Sequence, residues 1–208
     1  MLWIRHRVNQ IAALTRVSLA DGVEIDLRSD VTRPGAIHLS HDPWVKGDDF
    51  WEWLITFKNR GIRGPIILNT KEDGLEGQIV DMLSNAGLIG HNSWFFLDTA
   101  MPTLVKQTHS LGNSYFFLRQ SVHEPSSALE PFRGKAQWIW VDCFNGEPVP
   151  AESIRELKKD FKICLVSPEL QGIESIALAS HLLRFKGLFS LADAVCTKDP
   201  QQWLQVFS

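Results

Sequence analysis

The stretch that decides the fold is Val23–Leu27, with the sequence VEIDL. It is a short apolar run that carries two carboxylates, Glu24 and Asp26, two positions apart. Alternate side chains of a β-strand point to the same side, so both carboxylates lie on one side of this strand. Burying two unpaired carboxylates is costly, and a hard cation such as Mg²⁺ or Ca²⁺ would offset that cost. The stretch therefore predicts a strand that carries a metal site.

Seven further apolar runs of strand length occur along the chain. Several are continuous rather than alternating, which is typical of parallel strands buried on both faces. The seven runs are Leu2–Ile4, Pro65–Leu68, Trp94–Leu97, Tyr115–Leu118, Gln137–Val141, Ile163–Val166 and Ala194–Cys196. A shorter run, Ala36–Leu39, follows a Pro-Gly turn signal and predicts a hairpin arm attached to the second strand.

Helical patterns separate most of these runs. They span Asp48–Arg60, Leu75–Ala86, Met101–Leu111, Glu152–Asp160, Ile173–Phe185 and Pro200–Phe207. The proline-containing stretch Val122–Lys135 is predicted as a loop. Eight strands alternating with helices predict a compact (β/α)8 TIM barrel that forms one domain over residues 1–208, with a doubly wound open sheet as the alternative. Since no GxGxxG or P-loop follows a strand, the nucleotide-binding versions of these folds are disfavoured.

Composition and charge disfavour several classes of protein. The 208 residues are 44% hydrophobic and 22% charged, which is ordinary for a globular protein with a sizeable core. A net charge of −3 gives no basic excess, so no nucleic-acid partner is expected. No apolar run reaches the roughly 18 residues that span a bilayer. Charges at residues 5–7 lie where a signal peptide has its apolar segment, so a cytoplasmic protein is expected.

Polar side chains follow nearly every predicted strand. In a parallel barrel the carboxyl ends of all strands share one face, and such folds place their active sites there. The residues at these ends include His6, Arg7, His41, Asp42, Asn69, Lys71, Asp98 and Arg119. Asn69 offers a neutral oxygen to a cation on Glu24 and Asp26, whereas Lys71 offers a positive charge to an anionic ligand. His6 and His41 would flank the cation as general acid and general base.

This set of residue types suits the cleavage of a phosphodiester. A cation and the side chains of Arg7 and Lys71 would neutralise the phosphate, while two histidines would transfer protons. Arg119 is a further candidate for phosphate binding. The expected partner is a small-molecule phosphodiester. The sequence leaves the oligomeric state and the choice between Mg²⁺ and Ca²⁺ open, and it is equally compatible with hydrolysis and with intramolecular cyclisation.

The same residues carry a resemblance to a known family. His6-Arg7, Glu24-x-Asp26, His41-Asp42 and Asn69-x-Lys71 resemble the motifs of glycerophosphodiester phosphodiesterases and of related phosphatidylinositol phospholipase C-like phosphodiesterases. The match lies in residues 2–75, and the segments ILNTKEDGL, WIWVDCF and ICLVSPELQG are similar to a compact bacterial branch linked to surface-polysaccharide genes. The resemblance implies a TIM barrel and a divalent cation on Glu24 and Asp26. It also implies an acid–base pair, His6 and His41, and phosphate contacts from Arg7 and Lys71.

The chain departs from the family's pattern at three points. An acidic residue usually stands two positions before the lysine, where this chain has Asn69. Metal affinity should therefore fall, unless another group such as Asp98 supplies the charge. The usual His-Arg-Gly opening ends in Val8. The insertion that usually follows the second histidine is reduced to one helix, which removes much of the expected substrate pocket.

Several alternatives are compatible with the same residues. Glu24 and Asp26 could form an ion-pair network with Arg7, Arg28 and Lys71 that needs no metal. Asn69 could orient its neighbours instead of binding a cation, and the barrel would then bind a phosphorylated ligand or a partner protein without turnover. A sugar-phosphate isomerase or aldolase would use Lys71 to form a Schiff base. Trp44, three residues after His41, could form a wall of the site.

Overall fold

The computed structural model describes residues 1–110, 115–174 and 177–207, with no side chains described for 108–110. The chain divides into two compact units, one formed by Ile4–Leu111 and the other by Met1–Trp3 with Gly112–Ser208. Each unit contains parallel β-strands accompanied by helices, which confirms the predicted α/β class. The closed barrel and the single domain remain predictions.

In its described residues, the unit Ile4–Leu111 contains three α-helices, a 3₁₀ helix over Ile11–Arg16 and six strands, the first of which begins at Leu2. In chain order the strands and α-helices are β1 (Leu2–Arg5), β2 (Gly22–Ser29), β3 (Ile37–Leu39), β4 (Asp48–Asp49), α1 (Phe50–Asn59), β5 (Ile66–Thr70), α2 (Glu76–Asn85), β6 (Trp94–Leu97) and α3 (Met101–Ser110). β1, β2, β5 and β6 are parallel in that spatial order. β3 is antiparallel to β2, which confirms the hairpin arm, and β4 extends this arm by a strand that was not predicted.

The unit that contains Gly112–Ser208 has four neighbouring parallel strands. Its elements are β7 (Phe117–Gln120), β8 (Trp138–Val141), α4 (Ala151–Leu157), β9 (Lys162–Val166), α5 (Leu178–Leu183), α6 (Lys186–Phe189), β10 (Ala194–Thr197) and α7 (Pro200–Phe207). Two predictions were inaccurate here. The predicted loop Val122–Lys135 contains a 3₁₀ helix over Ser126–Phe132. The predicted helix Ile173–Phe185 begins at Leu178 instead. Before it, Gly172 has a φ of +103°, and the Ile173 amide donates to the Pro168 carbonyl oxygen, so the chain turns there. Residues 175 and 176 lie outside the described part.

β2 is the strand that positions the candidate site. All of its residues from Gly22 to Leu27 are buried, as a central parallel strand requires. Its register with β5 places Asp26 opposite Asn69. Its register with β1 sets Ile4 opposite Gly22, so the chain leaves β1 close to Glu24. The polar ends of three neighbouring strands therefore meet at one edge of this sheet.

Helix α1 covers the same sheet from one side. Asp49 caps the helix by accepting hydrogen bonds from the amides of Trp51 and Glu52. The apolar face of the helix buries Trp53, whose Nε1 donates to the carbonyl oxygen of Val8 at 2.9 Å. This bond ties the segment after β1 to the helix. Among the described residues, no helix is both long enough and apolar enough to cross a membrane.

Candidate active site

Glu24 is a buried carboxylate at the centre of the site, only 1% exposed. Its Oε2 accepts a hydrogen bond from the Arg7 amide at 2.8 Å, and its Oε1 accepts one from Asn69 Nδ2 at 3.0 Å. Burial, followed by the neighbouring charge of Asp26, raises the pKa of Glu24 to about 7. A cation placed between the two carboxylates would favour the ionised form of both.

Asp26 is completely buried and lies among cationic and amide groups. Lys71 Nζ lies 3.0 Å from its Oδ1, and Arg7 Nε lies 3.7 Å from its Oδ2. Asn9 Nδ2 donates to Oδ2 at 2.8 Å, and the Asp26 amide donates to Asn9 Oδ1 at 2.9 Å. The arrangement contains part of the ion-pair network weighed from the sequence. Asn9 was not predicted as a site residue, and its place shortly after the first strand was its sole sequence signal.

His6 lies beside the two carboxylates, with its Nε2 3.8 Å from Glu24 Oε2. The segment that follows β1 turns sharply at Arg7, whose φ is +51°. Bulky residues seldom adopt this left-handed conformation, and such strain is concentrated at functional sites. The Val8 amide donates to the Glu24 carbonyl oxygen at 2.9 Å, which fixes the turn on β2. The turn thus brings a histidine and an arginine to the predicted edge.

The side chain of Asn69 indicates whether Glu24, Asp26 and Asn69 could together bind a divalent cation. The residue is 7% exposed, and its Oδ1 accepts no hydrogen bond from any residue that the structure describes. A buried amide oxygen without a partner is costly, and Mg²⁺ and Ca²⁺ bind such oxygens together with carboxylates. Glu24, Asp26 and Asn69 therefore fit a hard cation. Within the described ranges no three His, Cys, Asp or Glu side chains form a metal-holding group, so Asn69 would have to contribute.

Lys71 lies between two carboxylates, with Nζ 3.0 Å from Asp26 Oδ1 and 3.6 Å from Asp98 Oδ2. Asp98 thus contacts the lysine, and its role as a substitute metal ligand stays a prediction. A Schiff-base lysine must bring its Nζ to a substrate carbonyl, whereas here two carboxylates hold Nζ. The geometry favours Lys71 as a binder of anions over its alternative role in an isomerase or aldolase.

His41 lies at the end of the hairpin arm, next to β2. The amide of the preceding residue, Ser40, donates to the Asp26 carbonyl oxygen at 3.1 Å. The His41 imidazole pairs through Nδ1 with Asp42 Oδ1 at 2.7 Å, a contact that orients the ring. This hydrogen bond lowers the pKa of Asp42, with smaller contributions from the charges of Arg7 and Arg28. His41-Asp42 therefore lies within electrostatic reach of the Arg7 turn.

Among the described residues, Arg28 forms no ion pair with Glu24 or Asp26, unlike in the network considered from the sequence. Its Nη2 and Nε donate to the His41 carbonyl oxygen at 3.0 and 3.3 Å. Because Arg28 is two residues beyond Asp26 on β2, it continues the row of side chains that Glu24 begins. Its contact fixes the backbone that carries the second histidine.

Arg119 belongs to the other unit, at β7. Its Nε and Nη2 contact Asp142 Oδ2 and Oδ1 at 2.8 and 3.0 Å. Asp142 is completely buried and also accepts a hydrogen bond from Gln171 Nε2. This two-point ion pair accounts for Arg119 as a structural residue, and its predicted contact with phosphate remains a prediction.

We expect Arg119→Ala to lower the free energy of unfolding by about 3 kcal/mol, because it leaves a buried carboxylate without its cation. Urea denaturation measures this loss. Arg155→Ala is the matched control, since Arg155 pairs at 3.6 Å with the exposed Glu152 and its loss should cost at most about 0.5 kcal/mol. If Arg119→Ala leaves the free energy of unfolding unchanged but weakens phosphate binding, the structural role of Arg119 is contradicted.

Comparison with known proteins identifies the fold. No protein-family model and no curated protein matches this sequence. Among solved structures that match is a phosphodiesterase of Oleispira antarctica in complex with the product sn-glycerol-3-phosphate, at 16% identity and a TM-score of 0.68, covering 99% of this chain and 96% of that one. A protein of Galdieria sulphuraria assigned as a glycerophosphodiester phosphodiesterase matches at 11% identity and a TM-score of 0.74, covering 99% and 97%. A glycerophosphoryl diester phosphodiesterase of Parabacteroides distasonis matches at 10% identity and a TM-score of 0.65, covering 99% and 85%. The chain thus has the fold of these phosphodiesterases, as the sequence resemblance implied.

Proposed function

We propose that this chain is a metal-dependent phosphodiester hydrolase built on a closed TIM barrel, with its active site at the edge formed by β1, β2 and β5. One observation carries the proposal. The carboxylates of Glu24 and Asp26 are buried, Asn69 Nδ2 donates to Glu24 Oε1 while Asn69 Oδ1 has no partner among the described residues, and His6 Nε2 lies 3.8 Å from Glu24 Oε2. The shared fold with phosphodiesterases, one of them bound to sn-glycerol-3-phosphate, supports the same reaction class.

Glu24, Asp26 and Asn69 would hold Mg²⁺ or Ca²⁺. The bound cation would supply a Lewis acid for the phosphoryl oxygens and neutralise charge that develops on them. Arg7 and Lys71 would bind the remaining anionic oxygens. Both side chains already face the carboxylate pair, so a phosphate at this edge would exchange their contacts with Asp26 for contacts with substrate.

His6 and His41 would transfer the two protons of the reaction. One imidazole accepts the proton of the attacking hydroxyl, and the other donates a proton to the oxygen of the leaving alcohol. Asp42 holds the His41 ring in one orientation through Nδ1, which leaves Nε2 to act on the substrate. The attacking hydroxyl belongs either to water or to a neighbouring carbon of the substrate, and the same pair serves both cases.

Turnover of phosphodiesters by the full chain tests this function. Glycerophosphodiesters are incubated with protein in Mg²⁺, in Ca²⁺ and in EDTA, and released alcohol and phosphomonoester are measured. We expect turnover in at least one cation and none in EDTA. Equal turnover in EDTA would contradict the metal dependence, and absence of product from every phosphodiester would contradict the hydrolase.

Asn69→Asp is expected to tighten cation binding about tenfold, since a third carboxylate adds charge to the ligand set. The same change should destabilise the cation-free protein at pH 8, because it adds another buried negative charge. Calorimetric titration with Mg²⁺ and Ca²⁺ measures the affinity. Asn59→Asp, at an exposed position on α1, is the matched control and should leave it unchanged. Unaltered affinity in Asn69→Asp would remove Asn69 from the ligand set.

A second candidate function is binding of a phosphorylated ligand without turnover. The ion pair between Lys71 and Asp26 favours it, because this contact satisfies one carboxylate without a metal. In that case sn-glycerol-3-phosphate should bind equally well in Mg²⁺ and in EDTA, and no phosphodiester should be cleaved. Cation-dependent cleavage would eliminate this candidate.

A further inference from the structure

A pocket of about 300 Å³ opens within the unit Ile4–Leu111, and the proposed site residues do not line it. Most of its lining comes from residues that follow a proposed site residue along the chain. Residues 28–32 follow Asp26, residues 43–46 follow His41, and Glu72 follows Lys71. The pocket is therefore adjacent to the proposed catalytic edge on three separate segments, and its volume suits one small ligand group.

Trp44 stands at this pocket with its side chain in solvent. It is 92% exposed, and its backbone adopts a left-handed conformation with φ of +67°. A large aromatic side chain is normally stabilised by burial and rarely adopts positive φ. Both features are unfavourable for the free chain and are typical of residues that contact ligands. Val31 and Val45 are also exposed and add apolar surface to the same pocket.

The two acidic residues of the pocket are already engaged by the protein. Asp30 accepts hydrogen bonds from Thr32 Oγ1 at 2.6 Å and from Arg33 Nε at 2.7 Å. Glu72 accepts from both the amide and the hydroxyl of Ser29. They shape the pocket and do not need a cationic ligand.

His38 and Lys46 are two further polar residues of the pocket, which Arg28, Ser29 and Thr32 also line. Neither side chain has a hydrogen bond or an ion pair with any residue in the described part of the chain, although both line the pocket. The ammonium of Lys46 has three donors, and the imidazole of His38 has one or two. These groups are suited to a ligand rich in hydroxyl oxygens, which accept hydrogen bonds.

We propose that this pocket binds a ring-bearing alcohol of the phosphodiester, a sugar or a cyclitol, and that Trp44 selects for the ring. The inference rests on the proposed function of the adjacent site. The indole face of Trp44 packs on the C–H face of the ring, while Lys46 and His38 donate to ring hydroxyls. An acyclic alcohol lacks the flat face and gains nothing from the indole.

Two substrates that share a glycerophosphate part test the proposal, glycerophosphoinositol with a ring and glycerophosphoethanolamine without one. We expect Trp44→Ala to raise KM about tenfold for the inositol ester, with kcat unchanged, and less than about twofold for the ethanolamine ester. Lys46→Gln should raise the first KM about threefold. Trp51→Ala is the matched control, since Trp51 is 39% exposed on α1 and does not line the pocket.

The outcomes separate this pocket from the proposed function. If both substrates are cleaved and Trp44→Ala raises KM equally for the two, or changes neither KM, the proposed pocket is wrong and the proposed hydrolase stands. If the parent protein cleaves neither substrate, calorimetric titration with myo-inositol 1-phosphate decides. Binding that is weakened tenfold in Trp44→Ala supports the pocket without turnover of these substrates, whereas absence of binding, or binding that Trp44→Ala leaves unchanged, overturns the pocket.

Discussion

Replacing either His6 or His41 by asparagine is expected to lower kcat about 10²- to 10⁴-fold, because each change removes one of the two proposed proton-transfer groups. KM should change much less, since the proposed phosphate contacts of Arg7 and Lys71 are retained. The measurement is steady-state turnover of a glycerophosphodiester in the preferred cation.

His91→Asn is the matched control for both variants, because it makes the same chemical change at an exposed turn before β6. Its kcat should equal that of the parent. If His6→Asn or His41→Asn keeps turnover within tenfold of the parent, that histidine is not part of the acid–base pair.

Glu24→Gln is expected to stabilise the cation-free protein at pH 8 by roughly 3 kcal/mol. Burial and Asp26 raise the pKa of Glu24 from its ordinary 4.5 to about 7 in the folded protein. Between these values the folded state keeps the proton that the unfolded state releases, so stability of the parent falls as pH rises from about 4.5 to 7. Glutamine carries no charge at any pH, so the variant lacks this loss.

Urea denaturation in EDTA at several pH values between 4.5 and 8 measures the effect. The two proteins should converge at the acid end and differ most at pH 8. Mg²⁺ or Ca²⁺ should then raise the thermal midpoint of the parent and leave that of the variant unchanged, because the carboxylate ligand is gone. Glu124→Gln, at an exposed position, should behave as the parent does. If the cation-free stability of the unmutated protein rises between pH 4.5 and 8, the raised pKa of Glu24 is contradicted.

The strands could be predicted because buried parallel strands have a local signature in composition. The runs that gave β5 and β6 are continuous and apolar, whereas the β2 run alternates apolar residues with Glu24 and Asp26, a spacing that fixed which side chains share a face. The two-residue strand β4 has no such signature, because its pairing with β3 depends on the path of the whole hairpin. Contacts that depend on a turn, such as Asn9 with Asp26, were equally inaccessible.

The partners of individual charges were less predictable than their positions. Arg119 lies at a strand end, as predicted, but its pairing with Asp142 depends on the register that sets Arg119 opposite Trp140 on β8. Arg28 similarly contacts the His41 carbonyl oxygen because β3 pairs with β2 at that point. A sequence shows which residues follow a strand, whereas register decides which of them touch.

Anomalous diffraction from crystals grown with sn-glycerol-3-phosphate and Mn²⁺ or Ca²⁺ would show whether a cation binds at the Glu24–Asp26 edge. We predict an anomalous peak within coordination distance of Glu24, Asp26 and the Oδ1 of Asn69, with the phosphate next to it and close to Arg7, Lys71 and the two histidines. A map in which Lys71 still pairs with Asp26, and no cation lies on either carboxylate, would contradict the account and favour the binding protein over the hydrolase.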